Sequence, residues 1–140
     1  FLFAACNPVS NTTDYTEENE QEILTYLDEN NLTAQKTNSG LYYIIKNAGS
    51  GSQATTTDNV TVAYKGYFTN GNVFDQSDAG GISFNLQRVI RGWTEGITYF
   101  KEGGDGILLI PAHLGYGSFD TNGIPAGSVL IFDVSRNTKR

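Results

Sequence analysis

The one tryptophan of this 140-residue chain, Trp93, ends the run Val89-Ile90-Arg91-Gly92-Trp93. Upstream stand Tyr64 and Phe74-Asp75; downstream come Tyr116, set between Gly115 and Gly117, and then Phe132. Aromatic side chains with one carboxylate and two phenols among them are the parts of a dry cup. Such a cup grips an apolar ring by contact and orients it with a few hydrogen bonds. The same residue types also suit an ordinary core, where aromatics bury most of their area. Tyr116 between its glycines reads equally as a surface aromatic or as part of a mobile segment able to close over a ligand. Asp75 after Phe74 can be a turn residue bonding its own backbone.

Other chemistries have less to stand on. His113 is the only histidine, and no G-x-S-x-G elbow presents a nucleophile. Gly49-Ser50-Gly51 and Gly103-Gly104 lack the lysine and the strand-loop-helix setting of a phosphate loop. With one histidine and one cysteine, Cys6, far apart, no zinc ligand set is visible, and neither metal nor cofactor is expected. A formal net charge of −6 argues against nucleic acid, since no basic stripe exists to displace counterions from phosphates. Arg136, Lys139 and Arg140 read as a solvated basic tail.

The cup must be held by elements that the apolar pattern outlines. The length and the 16 glycines suit one turn-rich β domain with its own core. Residues 7–15 are polar and aperiodic, a flexible spacer. A helix follows from residue 16, with Glu17, Glu18, Glu20 and Glu22 near its positive end and Ile23, Leu24 and Leu27 on one face. Asp14 or Thr16 can cap it, and Asn30-Asn31 can stop it. That face is short, so the helix can dimerise or pack on its own domain. Strands are expected over 41–46, 60–68, 73–75, 106–110 and 128–134, the last two as continuous apolar runs and therefore central. Val60, Val62 and Tyr64 alternate onto one face, and Thr69-Asn70-Gly71-Asn72 makes a hairpin turn. Trp93, Ile97 and Phe100 fit about two turns of helix against the sheet. The fold class is α+β: a twisted, mostly antiparallel sheet of about five strands, a short helix on one face, and the N-terminal helix outside.

Read in order, Val62-x-Tyr64-x-Gly66, Gly71-x-x-Phe74-Asp75, Phe84-x-Leu86, Val89-Ile90-Arg91-Gly92-Trp93-x-Glu95-Gly96, Gly103-Gly104, Ile110-Pro111, Gly115-Tyr116-Gly117, Ile124-Pro125 and Val129-Leu130-Ile131-Phe132-Asp133-Val134 resemble the FK506-binding-protein (FKBP) family of peptidyl-prolyl cis-trans isomerases. Each piece is weak and the ordered set, over about two-thirds of the chain, is specific. The resemblance implies an enzyme that accelerates rotation about X-Pro bonds without covalent chemistry. It assigns Trp93 to the pocket floor, and Tyr64, Phe74 and Phe132 to its walls. Val89 and Ile90 lie beside the floor, with the Ile90 N–H donating to a substrate carbonyl. Asp75 faces the twisting amide, Tyr116 offers its hydroxyl, and Ile124 sits in the loop over the site. Phe84 and Ile82 complete the lining, Ile82 standing where an aromatic is frequent. The absence of histidine from residues 117–123, and Asp105 where a basic or polar residue is usual, bear on substrate preference and drug affinity.

Proline-containing polypeptides are the implied partners, with FK506- or rapamycin-type macrolides as ligands. A holdase or proline-peptide binding module that keeps the cup without turnover is the alternative, and a domain whose aromatics are all core is a third. The start of the chain resembles the end of a bacterial lipoprotein signal peptide: Phe1-Leu2-Phe3, two alanines, then Cys6 as the residue that takes the lipid. Phe3 is an uncommon residue for such a box. This organisation gives a signal remnant and tether at 1–15, helix and linker at 16–38, and an isomerase domain at 39–140, held at a bacterial cell envelope as a periplasmic or outer-membrane lipoprotein.

Overall fold

The computed structural model describes residues 14–137. Cys6, Lys139 and Arg140, with the lipid attachment and most of the tether expected from the sequence, lie outside the described residues. Helix α1 spans Thr16–Glu29. Glu17 and Glu18 occupy its first turn, and the Thr16 N–H donates to Asp14 Oδ1 at 2.9 Å. Asn31 takes the left-handed conformation (φ 55°) just past its end, and the Leu32 N–H returns to the Leu27 carbonyl at 2.8 Å. Such a return is how a helix satisfies its last carbonyls while turning the chain.

Among the described residues, seven strands follow in one sheet: β1 Gln35–Lys36, β2 Tyr42–Asn47, β3 Asn59–Tyr67, β4 Val73–Gln76, β5 Ile82–Asn85, β6 Asp105–Ile110 and β7 Leu130–Arg136. Their order is β1-β2-β6-β7-β3-β4, with β5 also on β3, and every pairing is antiparallel. The apolar runs β6 and β7 are central, as their composition requires. Seven strands replace the expected five. β1 has two residues, too few for a period. β5 spans four and is created by its partner: β3 is nine residues long, and one edge serves β5 over residues 59–62 and β4 over residues 65–67.

Each face of the sheet carries its own core. On the inner face lie Val60, Val62 and Tyr64 of β3, Leu108 and Ile110 of β6, and Leu130, Phe132 and Val134 of β7. Helix α2, Arg91–Gly96, and the 3-10 turn Ile97–Tyr99 pack there. Gly92 and Gly96, one turn apart, make that approach possible, since a Cβ on either would stand 2.7 Å from Ile110 or Leu108. On the outer face α1 sets Ile23 and Leu27 on Tyr42, Ile107, Leu109, Val129 and Ile131. The helix therefore packs on its own domain. Its buried stripe is Asn19, Ile23 and Leu27, while Leu24, expected on that face, is 41 % exposed. At 3.6 residues per turn, 19, 23 and 27 keep one azimuth and position 24 is turned away.

Arg136 also departs from expectation. It is buried, not a solvated tail residue: its Nη1 donates to the carbonyls of Ser52 at 2.7 Å and Phe100 at 2.8 Å, and Glu102 lies 4.0 Å from Nη2. The planar guanidinium can serve several acceptors at once, which lets it bridge two loops at the end of β7.

Candidate functional site

The cup is assembled from β3, β4, β5, α2, β7 and the loop between β6 and β7. Trp93 enters from the first turn of α2 and is fully buried. Phe132 of β7 meets it edge to face, with ring centroids 5.3 Å apart and planes at 84°. Tyr64 of β3 stands perpendicular to the indole at 5.1 Å, and Phe84 of β5 lies at 5.3 Å on another side. Phe74 of β4 extends the ring chain, 5.5 Å from Phe132 and 4.9 Å from Phe68. Edge-to-face geometry at these distances adds attraction beyond area burial and holds each ring at a fixed angle. Gly66 admits the arrangement, because a Cβ there would lie 2.8 Å from both Phe74 and Phe132.

Polar groups are few and unevenly satisfied. The Tyr64 hydroxyl donates to Asp75 Oδ2 at 2.8 Å, and the Gln76 N–H donates to Asp75 Oδ1 at 2.9 Å, so both carboxylate oxygens are oriented. Burial, then the bond to Asp75, raises the Tyr64 phenol well above its ordinary pKa. Burial and next the Asp75 charge do the same to Tyr116. Both phenols keep their protons at neutral pH. The Tyr116 hydroxyl nevertheless has no protein acceptor, and the Trp93 indole N–H likewise has none; among the described residues these are the buried side-chain polar atoms left unpaired. A native fold pairs nearly all such groups, so two orphans in one cup are a functional signal.

The remaining predicted residues fall as follows. Val89, Ile90 and Ile124 are buried in the same cluster as Trp93, Tyr64, Tyr116 and Phe132. Ile90 is the residue before the first turn of α2, and its carbonyl accepts from the Trp93 and Thr94 N–H groups at 2.9 and 3.1 Å. Its own N–H lies outside the helix's internal bonding. Phe74 and Phe84 are half-buried against the cluster. Ile82, opposite Val62 in the register of β5, is 41 % exposed and lies at the margin. Arg91 points to solvent.

Two residues escaped the sequence reading. Phe68 continues the two-residue alternation of β3 past Gly66, and the same-face count from Val60 would have found it. Asn19 joins the site's loop from α1: its Nδ2 donates to the Gly127 carbonyl at 2.9 Å and its Oδ1 accepts from the Ala112 N–H at 2.8 Å. The signal was a polar residue one turn before Ile23 on the buried stripe. The loop itself, expected to be mobile from its glycines, is cross-linked. Thr121 and Ile124 exchange backbone bonds at 2.9 and 2.8 Å, and the Ala126 N–H donates to Asp120 Oδ1 at 2.8 Å.

An antiparallel sheet laid on a short helix, with a ring-lined cup above that helix's tryptophan, is the architecture of the FKBP-type isomerase class. The chain belongs to the FKBP-type peptidyl-prolyl cis-trans isomerase family, whose model matches residues 50–135. It is 47 % identical over 102 residues to the FKBP-type peptidyl-prolyl cis-trans isomerase FkpA of Buchnera aphidicola subsp. Acyrthosiphon pisum, covering 71 % of this chain and 42 % of that protein. The crystal structure of FkpA from Escherichia coli superposes with a TM-score of 0.77 at 36 % identity, over 88 % of this chain and 60 % of that one. That of AtFKBP13 does so with 0.72 at 31 %, over 77 % and 99 %. The chain spans about two-fifths of the length of these curated FkpA relatives.

Proposed function

We propose that this protein is a peptidyl-prolyl cis-trans isomerase acting on X-Pro bonds of unfolded or exported polypeptides, with the cup over Trp93 as its catalytic site. The observation that carries this reading is the pair of unpaired buried donors, Trp93 Nε1–H and Tyr116 O–H, inside a shell of aromatic rings. An apolar prolyl ring suits a shell of this chemistry, and its flanking carbonyls are the acceptors such donors lack.

The barrier to be lowered is about 18–20 kcal/mol, set by delocalisation of the amide nitrogen lone pair into the carbonyl. Twisting the bond ends that delocalisation, so the carbonyl oxygen carries less negative charge than in either planar isomer. Three features favour the twisted form. Apolar walls strip water that stabilises the planar amide. The Asp75 carboxylate, fixed by Tyr64 and Gln76, repels the charge-rich planar carbonyl more than the twisted one. The protonated Tyr116 and the Ile90 N–H grip neighbouring carbonyls so that the ring turns relative to a held backbone. A thousandfold acceleration requires about 4 kcal/mol of such differential stabilisation. Tyr64, Phe74, Phe84, Val89, Ile124 and Phe132 enclose the ring, and Ile82 borders the residue outside it.

Macrolides of the FK506 and rapamycin type present a comparable apolar ring and are ligands in the same reading. We further assign residues 1–15 to a lipid-anchored tether through Cys6, 16–38 to helix and linker, and 39–140 to the isomerase domain, at a bacterial cell envelope. FkpA relatives and the small residues before Cys6 support the envelope assignment. Mass spectrometry of the native protein should find an acylated Cys6, and an unmodified cysteine there would remove the anchor.

A protease-coupled assay on X-Pro peptides tests the activity. The parent protein should exceed the uncatalysed rate, and Asp75→Ala and Tyr116→Phe should each lower kcat/KM, by about tenfold to a hundredfold for an oriented group acting on the transition state. Peptide binding without acceleration would establish the non-catalytic binding module instead.

A further inference from the structure

Four hydrogen bonds close a ring at the base of the loop that carries Tyr116. The Ala112 N–H donates to Asn19 Oδ1 at 2.8 Å, the Gly117 N–H to the Ala112 carbonyl at 2.9 Å, the Gly127 N–H to the Gly117 carbonyl at 3.0 Å, and Asn19 Nδ2 to the Gly127 carbonyl at 2.9 Å. Three corners are backbone of the loop between β6 and β7. The fourth is a side chain 93 and 108 residues distant from its two partners. The partners also fix the amide's orientation, because a backbone N–H only donates and a carbonyl only accepts.

Packing does not account for asparagine at this position. Ile23 and Leu27 already anchor α1 on the sheet, and an apolar residue would extend that stripe at lower cost. Asn19 is 2 % exposed, and a buried amide is tolerated only when its hydrogen bonds are made. What those bonds secure is the glycine-rich loop that carries Tyr116 beside Gly117 and Ile124 before Gly127. Tyr15, just before α1, and Glu22 on it add contacts of their own. The Tyr15 ring lies against Gly127, where any Cβ would collide with it, and Glu22 Oε2 accepts from Thr69 Oγ1 at 2.6 Å on the β3–β4 turn.

We infer that Asn19 is a positioning residue of the isomerase site: through its bonds to Ala112 and Gly127, α1 sets the Tyr116 hydroxyl over the Trp93 floor. The inference rests on the site proposed above. A glycine-flanked segment has many conformations to choose from, and misplacing a reacting group by an ångström costs a large factor in rate.

The test compares Asn19→Ala with Leu27→Ala in the full chain, at a temperature where circular dichroism shows both folded. Leu27 lies on the same stripe of α1 and belongs to the apolar cluster on the outer face of the sheet. Asn19→Ala should lower kcat/KM on the order of tenfold, mainly in kcat, while Leu27→Ala stays within about twofold of the parent. In a Tyr116→Phe background the Asn19→Ala loss should shrink to about twofold, because the two side chains act through one contact. A folded Asn19→Ala protein with parental kcat/KM, an equal loss in Leu27→Ala, or full additivity with Tyr116→Phe would each overturn the inference. Should Asn19→Ala fail to fold, Tyr15→Ala decides in the same direction: a loss of about threefold supports it and parental activity overturns it. If Asp75→Ala and Tyr116→Phe are themselves without effect, the site reading fails first.

Discussion

The two faces of the sheet are built from alternating residues of the same strands, yet among the described residues only the inner one buries side-chain donors that nothing in the fold pairs. Outside, under and beside α1, Tyr67 donates to Asp133 Oδ1 at 2.8 Å, Tyr42 donates to Glu20 Oε2 at 2.9 Å, and both ends of the Asn19 amide are bonded. Inside, the Trp93 N–H and the Tyr116 hydroxyl are buried and unpaired. A face optimised for stability alone would have paired them or replaced them, since an unsatisfied buried donor costs about 1–3 kcal/mol. On the proposed reading, the destabilisation carried by the inner face is one that a bound peptide relieves, and the helix on the outer face holds the loop that takes part.

The widest separation of the faces should come from large-to-small changes. Phe132→Ala opens the inner core, and Leu109→Ala the outer. Each should cost stability, about 3–5 kcal/mol for the ring and about 2–5 kcal/mol for the leucine, read by denaturant unfolding. Only Phe132→Ala should also abolish isomerisation in the folded fraction. Equal activity in both would erase the functional difference between the faces.

Alkaline pH should strain both. Tyr64 and Tyr116 on the inner face and Tyr67 on the outer have phenols raised by burial first, and the ordinary unfolded value is about 10. A raised folded pKa means that the unfolded chain loses its proton first. The full stability contribution is therefore present below about pH 10 and falls above it, by about 1.4 kcal/mol per pH unit for each such phenol. Unfolding followed from pH 8 to 11 should show a plateau and then this slope. Tyr116→Phe or Tyr67→Phe should each reduce it by one proton, and a flat profile would show that the phenols ionise freely in the fold.

The subtlest contrast uses one chemical change on two faces. Tyr67→Phe leaves the Asp133 carboxylate short of a donor and should lower stability by about 1.5 kcal/mol. Tyr116→Phe removes an unpaired hydroxyl and should leave stability equal or raise it by about 1 kcal/mol, while slowing catalysis. The same sign for both would contradict the contrast between a paired outer phenol and an unpaired inner one.

Much of this molecule was legible because two signals are local. Period-two alternation marked β3, and continuous apolar runs marked β6 and β7 as central strands. The cup residues were legible as a family pattern, and Tyr64, Val89, Ile90, Trp93, Tyr116, Ile124 and Phe132 do lie in one cluster. What was not legible depends on partners. β1 and β5 are too short to declare themselves and exist because β2 and β3 offer edges. Leu24 and Asn19 exchange roles because burial follows where the sheet meets the helix, not hydropathy. Arg136 looked like tail and is pinned by the carbonyls of Ser52 and Phe100.

The sequence by itself therefore determined the kinds of element, the aromatic inventory of the cup and the family, because each is written in nearest-neighbour spacing. Tertiary structure alone decided that α1 covers the outer face, that Asn19 reaches two loop positions, and that two donors in the cup go unpaired. Those facts are properties of distance between residues far apart in the chain. A buried hydrogen bond or its absence is set by what the fold brings within about 3 Å, which no local pattern records.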